Sequence, residues 1–136
     1  MANILIVEDD ANLREAYIDI LEIDGHTVTG VESAVEAIES LSKNVPDVVF
    51  LDMNLLGGSG LAVLSFIQHF SRLSSTKVVV VSGYPQLRSL ATSSWGADLF
   101  LAKPFTVTEL QSALVDLNVE TALVQADRGH VNFHSL

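Results

Sequence analysis

Short apolar runs rich in β-branched residues alternate along the chain with stretches whose apolar residues recur every three or four positions. The short runs are ILIV (4–7), HTVTGV (26–31), VVFL (48–51), KVVVV (77–81) and LFLA (99–102). Continuous apolar runs of this kind predict parallel strands covered on both faces. Between them, Leu13, Ala16, Tyr17, Ile20 and Leu21 form a helical stripe. Ala34, Ala37, Ile38 and Leu41 repeat it, as do Val63, Phe66, Ile67 and Phe70, then Leu110, Ala113, Leu114 and Leu117. Gly25 stands where the first helix should stop, Ser33 and Thr106 are expected N-caps, and Pro46 precedes the third strand. Pro85 would open the fourth helix, QLRSLATSSW, whose serines and threonines are mediocre helix formers. Strict alternation of five strands and five helices predicts a doubly wound α/β domain around a five-stranded parallel sheet.

Length and charge narrow the possibilities. The 136 residues suit one domain, expected to end near residue 125, with 126–136 an aperiodic C-terminal tail. No apolar run approaches the roughly 18–20 residues that span a bilayer, and the start, MANILIVEDD, lacks the basic region of a signal peptide. A cytoplasmic location is the expectation. The chain has no cysteine, which excludes a disulfide framework and a thiolate zinc site. Seven basic against 17 acidic residues give a net charge of −10, which argues against direct binding of nucleic acid or of an anionic membrane.

In an open α/β sheet, ligands bind beyond the carboxyl ends of the strands. There the first strand carries Glu8-Asp9-Asp10, the third Asp52, the fourth Ser82-Gly83 and the fifth Lys103-Pro104. Clustered carboxylates are the hard oxygen ligands that Mg²⁺ prefers, and a cation would relieve their mutual repulsion. A central Asp52 is a potential nucleophile toward phosphorus, giving an acyl phosphate. Lys103 would neutralise phosphoryl charge, the Ser82 hydroxyl would donate to a phosphoryl oxygen, and Gly83 would admit close approach. Taken singly, an Asp pair after a strand is more often an N-cap with a solvated neighbour, and a Lys before Pro is usually surface. Joint placement at four strand ends outweighs those readings.

With ILIVEDD, VVFLDMNLLGGSG, VVVVSGY and LFLAKPF in this order and spacing, the chain resembles the receiver domain of bacterial two-component response regulators (the CheY-like family) over about residues 2 to 125. The resemblance implies a (βα)5 flavodoxin-like three-layer sandwich. It implies Asp52 as phosphoacceptor, Asp10 as direct Mg²⁺ ligand, Asp9 in support through water, and the Asn54 main-chain carbonyl completing the set. Ser82 would be the switch hydroxyl, Phe100 the aromatic that follows it, and Lys103 the phosphoryl contact before a cis Lys103–Pro104 bond. Asn54 and Tyr84 fall at positions that tune phosphoryl lifetime.

The implied function is a phosphorelay switch. A sensor histidine kinase or histidine phosphotransfer domain would donate the phosphoryl group. The domain would promote its own phosphorylation and dephosphorylation without being an enzyme in the ordinary sense, and would signal to a downstream protein as a monomer or a phosphorylation-dependent dimer. Two departures stand out: Leu56-Gly57-Gly58 where the family commonly has Pro four residues after the acceptor, which predicts a more mobile loop, and the weak fourth helix. The rival readings are a haloacid-dehalogenase-like phosphatase, which would want a second side-chain acid where Asn54 stands, and a pseudo-receiver that only docks. His130 and His134 have a metal-ligand spacing, but in an aperiodic tail coincidence is the better account.

Overall fold

The computed structural model describes residues 1–55 and 58–119. Strands β1 (Asn3–Val7), β2 (Thr27–Val31), β3 (Val48–Asp52), β4 (Lys77–Ser82) and β5 (Leu99–Ala102) alternate with helices α1 (Ala11–Ile23), α2 (Ala34–Lys43), α3 (Gly60–His69), α4 (Arg88–Ser93) and α5 (Val107–Asp116). The strands form one parallel sheet in the order β2-β1-β3-β4-β5. The order reverses between β1 and β3, and a ligand crevice belongs at that switch point.

Successive strand residues point to opposite faces, so each continuous apolar run serves two cores. Leu5, Val7, Val49, Leu51, Val78 and Val80 pack with residues of α2, α3 and α4. Ile4, Ile6, Val48, Phe50, Val79 and Val81 pack on the other face with α1 and α5. The result is three layers. No helix among the described residues is long and apolar enough to cross a membrane.

The expected caps are in place. Ser33 Oγ accepts from the Glu36 amide, and Thr106 forms a capping box with Glu109. α1 ends in a Schellman arrangement: the His26 amide donates to Leu21 O and the Gly25 amide to Glu22 O, with Gly25 at φ 94°. α5 ends in the same way through Asn118 at φ 61°.

The structure departs from the sequence expectations at four places. The fourth helix is a 3-10 turn, Pro85–Leu87, followed by only six α-helical residues, as its poor helix formers allow. On α1, Leu13 and Ala16 stay exposed while Ile18 packs against the core, and Leu13 lines the cleft beyond the strand ends. Phe70 lies just past the end of α3 and is 40% exposed. After β3, Asn54–Leu55 pairs antiparallel with Gly58–Ser59. Leu56 and Gly57, and the tail expected at 126–136 with His130 and His134, lie outside the described residues.

Candidate functional site

Strand register builds the site. β1 ends at Val7 opposite Leu51, so Glu8 follows directly beside Asp52, the last residue of β3. Asp52 pairs in turn with Val81, and Ser82 with Ala102, while the Lys103 amide donates to Ser82 O at 2.8 Å. Four neighbouring strands thus deliver two carboxylates, a hydroxyl and an ammonium to one level of the sheet.

The Lys103 ammonium lies 2.6 Å from Glu8 Oε1 and 3.0 Å from Asp52 Oδ2. Asp52 Oδ1 accepts from the Asn54 amide at 2.9 Å, and Glu8 Oε2 from the Asp10 amide at 3.2 Å. Glu8 and Asp52 are 2% and 5% exposed, above an apolar floor that includes Val7, Phe50, Val81, Tyr17 and Phe105. Burial pushes the Glu8 carboxyl up to about 7; the Lys103 bond opposes this and neighbouring Asp52 adds to it. Burial alone would lower the Lys103 ammonium, but its bonds to Glu8 and Asp52 more than offset that and raise it. The Tyr17 phenol is also raised, chiefly by burial. Above these groups opens a cleft of about 510 Å³ rimmed by Asp9, Asp10, Leu13, Asn54 and Tyr84.

One carboxylate oxygen from each of Glu8, Asp9 and Asp52 lies within 4.8 Å of the others. Sequence reasoning put Asp10 and Asp9 in this role and left Glu8 out of the ligand set. The oxygens that the structure groups are those of Glu8, Asp9 and Asp52. Asp10 Oδ1 accepts from the amides of Asn12 and Leu13, so Asp10 is the N-cap of α1. The signal was present in the sequence: a helix that starts at Ala11 calls for a cap at residue 10, and Asp is a favoured cap. Three hard oxygen donors suit a divalent cation such as Mg²⁺.

The other expected residues are placed as follows. Ser82 is buried, and its Oγ accepts from the Tyr84 amide at 3.1 Å. Phe100 is buried, whereas Tyr84 is 53% exposed at the cleft rim and Asn54 is exposed. A Cβ at Gly83 would meet nothing within 4 Å, so the cleft is open there. The Lys103–Pro104 peptide bond is cis.

Residues 4–115 match the model of the response regulator receiver domain family. The phosphate regulon transcriptional regulatory protein PhoB of Escherichia coli (strain K12) is 37% identical over 114 residues, 79% of this chain and 47% of PhoB. The KDP operon transcriptional regulatory protein KdpE of the same organism is 34% identical over 115 residues, 84% of this chain and 50% of KdpE. The chain therefore spans about half the length of these relatives. Among solved structures, the response regulator TrrA from Thermotoga maritima, in complex with Mg²⁺-BeF, superposes with a TM-score of 0.76 at 32% identity, covering 86% of this chain and 99% of TrrA.

Proposed function

The chain belongs to the response regulator receiver domain family, whose members are phosphoacceptor signalling switches, and on that premise we propose that Asp52 is its acceptor. The observation that carries this is the Lys103 bridge: an ammonium 3.0 Å from Asp52 Oδ2, at the floor of an acidic cleft. A carboxylate oxygen of Asp52 attacks the phosphorus of a phosphohistidine on a sensor kinase or phosphotransfer domain. The P–O bond forms as the P–N bond breaks, and the ring nitrogen leaves with that electron pair and takes up a proton. Lys103 compensates the charge on the phosphoryl oxygens, and the Ser82 hydroxyl turns to donate to one of them. Asp9, Asp52 and the Asn54 main-chain carbonyl would hold Mg²⁺, with Glu8 in support and Asp10 capping α1 beside them. When bound, Mg²⁺ supplies further neutralisation of the transferred group.

Ser82 and Phe100 stand on the two strands that precede and follow α4, so a change at the acceptor reaches the α4–β5 face, where a downstream protein would read it. The same domain returns to its resting state by hydrolysis of the acyl phosphate, with Asn54 and Tyr84 at the rim governing water access. The switch operates in the cytoplasm, as a monomer or a phosphorylation-dependent dimer. Asn54 stands where a haloacid-dehalogenase-like phosphatase would want a side-chain acid, which disfavours that rival.

The test is incubation with acetyl phosphate, with and without Mg²⁺, followed by intact mass beside an Asp52→Asn variant. One phosphoryl adduct that needs Mg²⁺ and is absent from the variant is the expected result. No adduct, no beryllofluoride complex and no Mg²⁺ binding would leave a docking module instead.

A further inference from the structure

We propose that Arg14, on the first turns of α1, is a positioning residue for the acidic loop, and that Gly30 of β2 supplies the space that seats it. Arg14 Nη1 donates to the main-chain carbonyl of Glu8 at 2.8 Å. The Glu8 amide donates to Val31 O at 3.0 Å, and the two Glu8 carboxylate oxygens accept from Lys103 and from the Asp10 amide. Each polar atom of Glu8 is thereby engaged, and Arg14 holds the carbonyl from which the chain turns into Asp9. The Arg14 amide makes the first main-chain bond of α1, to Asp10 O at 2.9 Å, so the Arg14 side chain ties the first turn of the helix to the end of β1.

Glycine in the middle of a strand is unfavourable and marks a close approach by another group. At Gly30 two side chains of α1 make that approach, Ile18 most closely and the Arg14 stem beside it. A Cβ there would lie 3.1 Å from both Arg14 Cγ and Cδ, and 2.6 Å from Ile18 Cδ1. The stem crosses the strand where a side chain would otherwise stand, and that path brings the guanidinium over the end of β1.

The anchor matters because Glu8, Asp9 and Asp52 repel one another. A loop free to move would relieve the repulsion by turning the Glu8-Asp9 segment outward, dispersing the oxygens that lie within 4.8 Å. The Arg14 bond opposes this and keeps the donor set assembled before a cation arrives. Arg14 touches neither cation nor phosphoryl group; it acts through Glu8. This inference rests on the reading of the cluster as a divalent-cation site.

The deciding experiment is calorimetric titration with Mg²⁺ of the wild type, Arg14→Met, Arg14→Lys, Gly30→Ala and the Arg14→Met/Gly30→Ala double variant, with melting temperatures in chelator as the control for folding. Arg14→Met keeps the stem and loses the donor, and is expected to weaken Mg²⁺ binding about ten-fold. Arg14→Lys, which keeps the charge but not the geometry, should recover part of this. Gly30→Ala should weaken binding in the same direction, and the double variant should be no weaker than Arg14→Met alone. Wild-type affinity in Arg14→Met overturns the inference, and if that variant does not fold, wild-type affinity in Gly30→Ala does so. A wild type that takes no Mg²⁺ overturns the cation reading itself, and the inference with it.

Discussion

The guanidinium carbon of Arg88 lies 4.9 Å from the centroid of the Phe100 ring, and Arg88 Nη1 donates to the Phe100 carbonyl at 3.3 Å. The first residue of α4 thus holds both the ring and the backbone of the buried aromatic on β5. Phe100 has no hydroxyl with which to anchor itself, and the cation takes that part. Because Arg88 is exposed, the coupling expected from a double-mutant cycle of Arg88→Ala and Phe100→Leu is about 0.5–1 kcal/mol. Urea unfolding of the four proteins measures it. A coupling of zero would mean that the ring is held by packing alone.

Glu8 makes the metal-free protein lose stability as pH rises from mildly acidic to neutral. Its carboxyl stands at about 7 in the fold against an ordinary value of 4.5. Between those values the folded state keeps a proton that the unfolded chain has released, so stability falls as pH rises through the window. Glu8→Gln removes the titration. In chelator at pH 8 the variant is expected to be more stable than the wild type, and near pH 4.5 the two should converge. The same variant should bind Mg²⁺ more weakly, since a supporting anion is lost. Urea midpoints across the pH range check the first outcome, and calorimetry the second.

Most of the site was legible from the strand ends, because a parallel α/β sheet fixes where its carboxyl edge lies. Asp52, Ser82 and Lys103 each follow an unmistakable apolar run and meet as that logic requires. The acidic triplet was harder. Glu8, Asp9 and Asp10 are chemically alike, and which of them faces the crevice depends on the residue at which strand gives way to helix. Asp10 spends Oδ1 on the cap of α1, and the grouped oxygens are those of Glu8, Asp9 and Asp52. Long side chains that reach across elements left no trace in the local pattern: the Arg14 and Arg88 contacts join residues on separate elements, and neither falls on a periodic stripe. The exposure of Leu13 was hidden for a related reason, since a helical stripe does not say where the sheet beneath it ends.

His26 gives a pH dependence of the opposite sign. Its Nδ1 accepts from the Ala2 amide at 3.1 Å, so the neutral ring carries its proton on Nε2. Burial, reinforced by the N-terminal ammonium and opposed by Asp24, holds the imidazole below its ordinary 6.5. Below that value the unfolded chain takes up a proton that the folded state resists, so stability is lost as pH falls. Protonation of Nδ1 would also break the Ala2 bond at the start of β1. His26→Gln should flatten the acid limb of the stability profile and leave the Glu8 limb intact. An NMR titration in which the His26 ring signals move at or above 6.5 would contradict this.

Gly60 and Gly83 offer the sharpest contrast between fold and function. A Cβ at Gly60 would lie 2.8 Å from Asp52 O, Met53 Cα and Met53 Sδ, two of them backbone atoms that cannot swing aside. α3 starts in contact with the end of β3, and Gly60→Ala must push that end, and Asp52 with it, out of register. The expected cost is about 1–3 kcal/mol of stability together with slower phosphorylation by acetyl phosphate. At Gly83, which lines the cleft, nothing lies within 4 Å of the same atom. Gly83→Ala should therefore leave urea unfolding nearly unchanged, within about 0.5 kcal/mol, while its methyl group obstructs the incoming phosphoryl group. Measuring both quantities on both variants separates the two roles. Equal loss of stability would mean that Gly83 also serves the fold, and unimpaired phosphorylation of Gly83→Ala would mean that the phosphoryl group enters away from the end of β4.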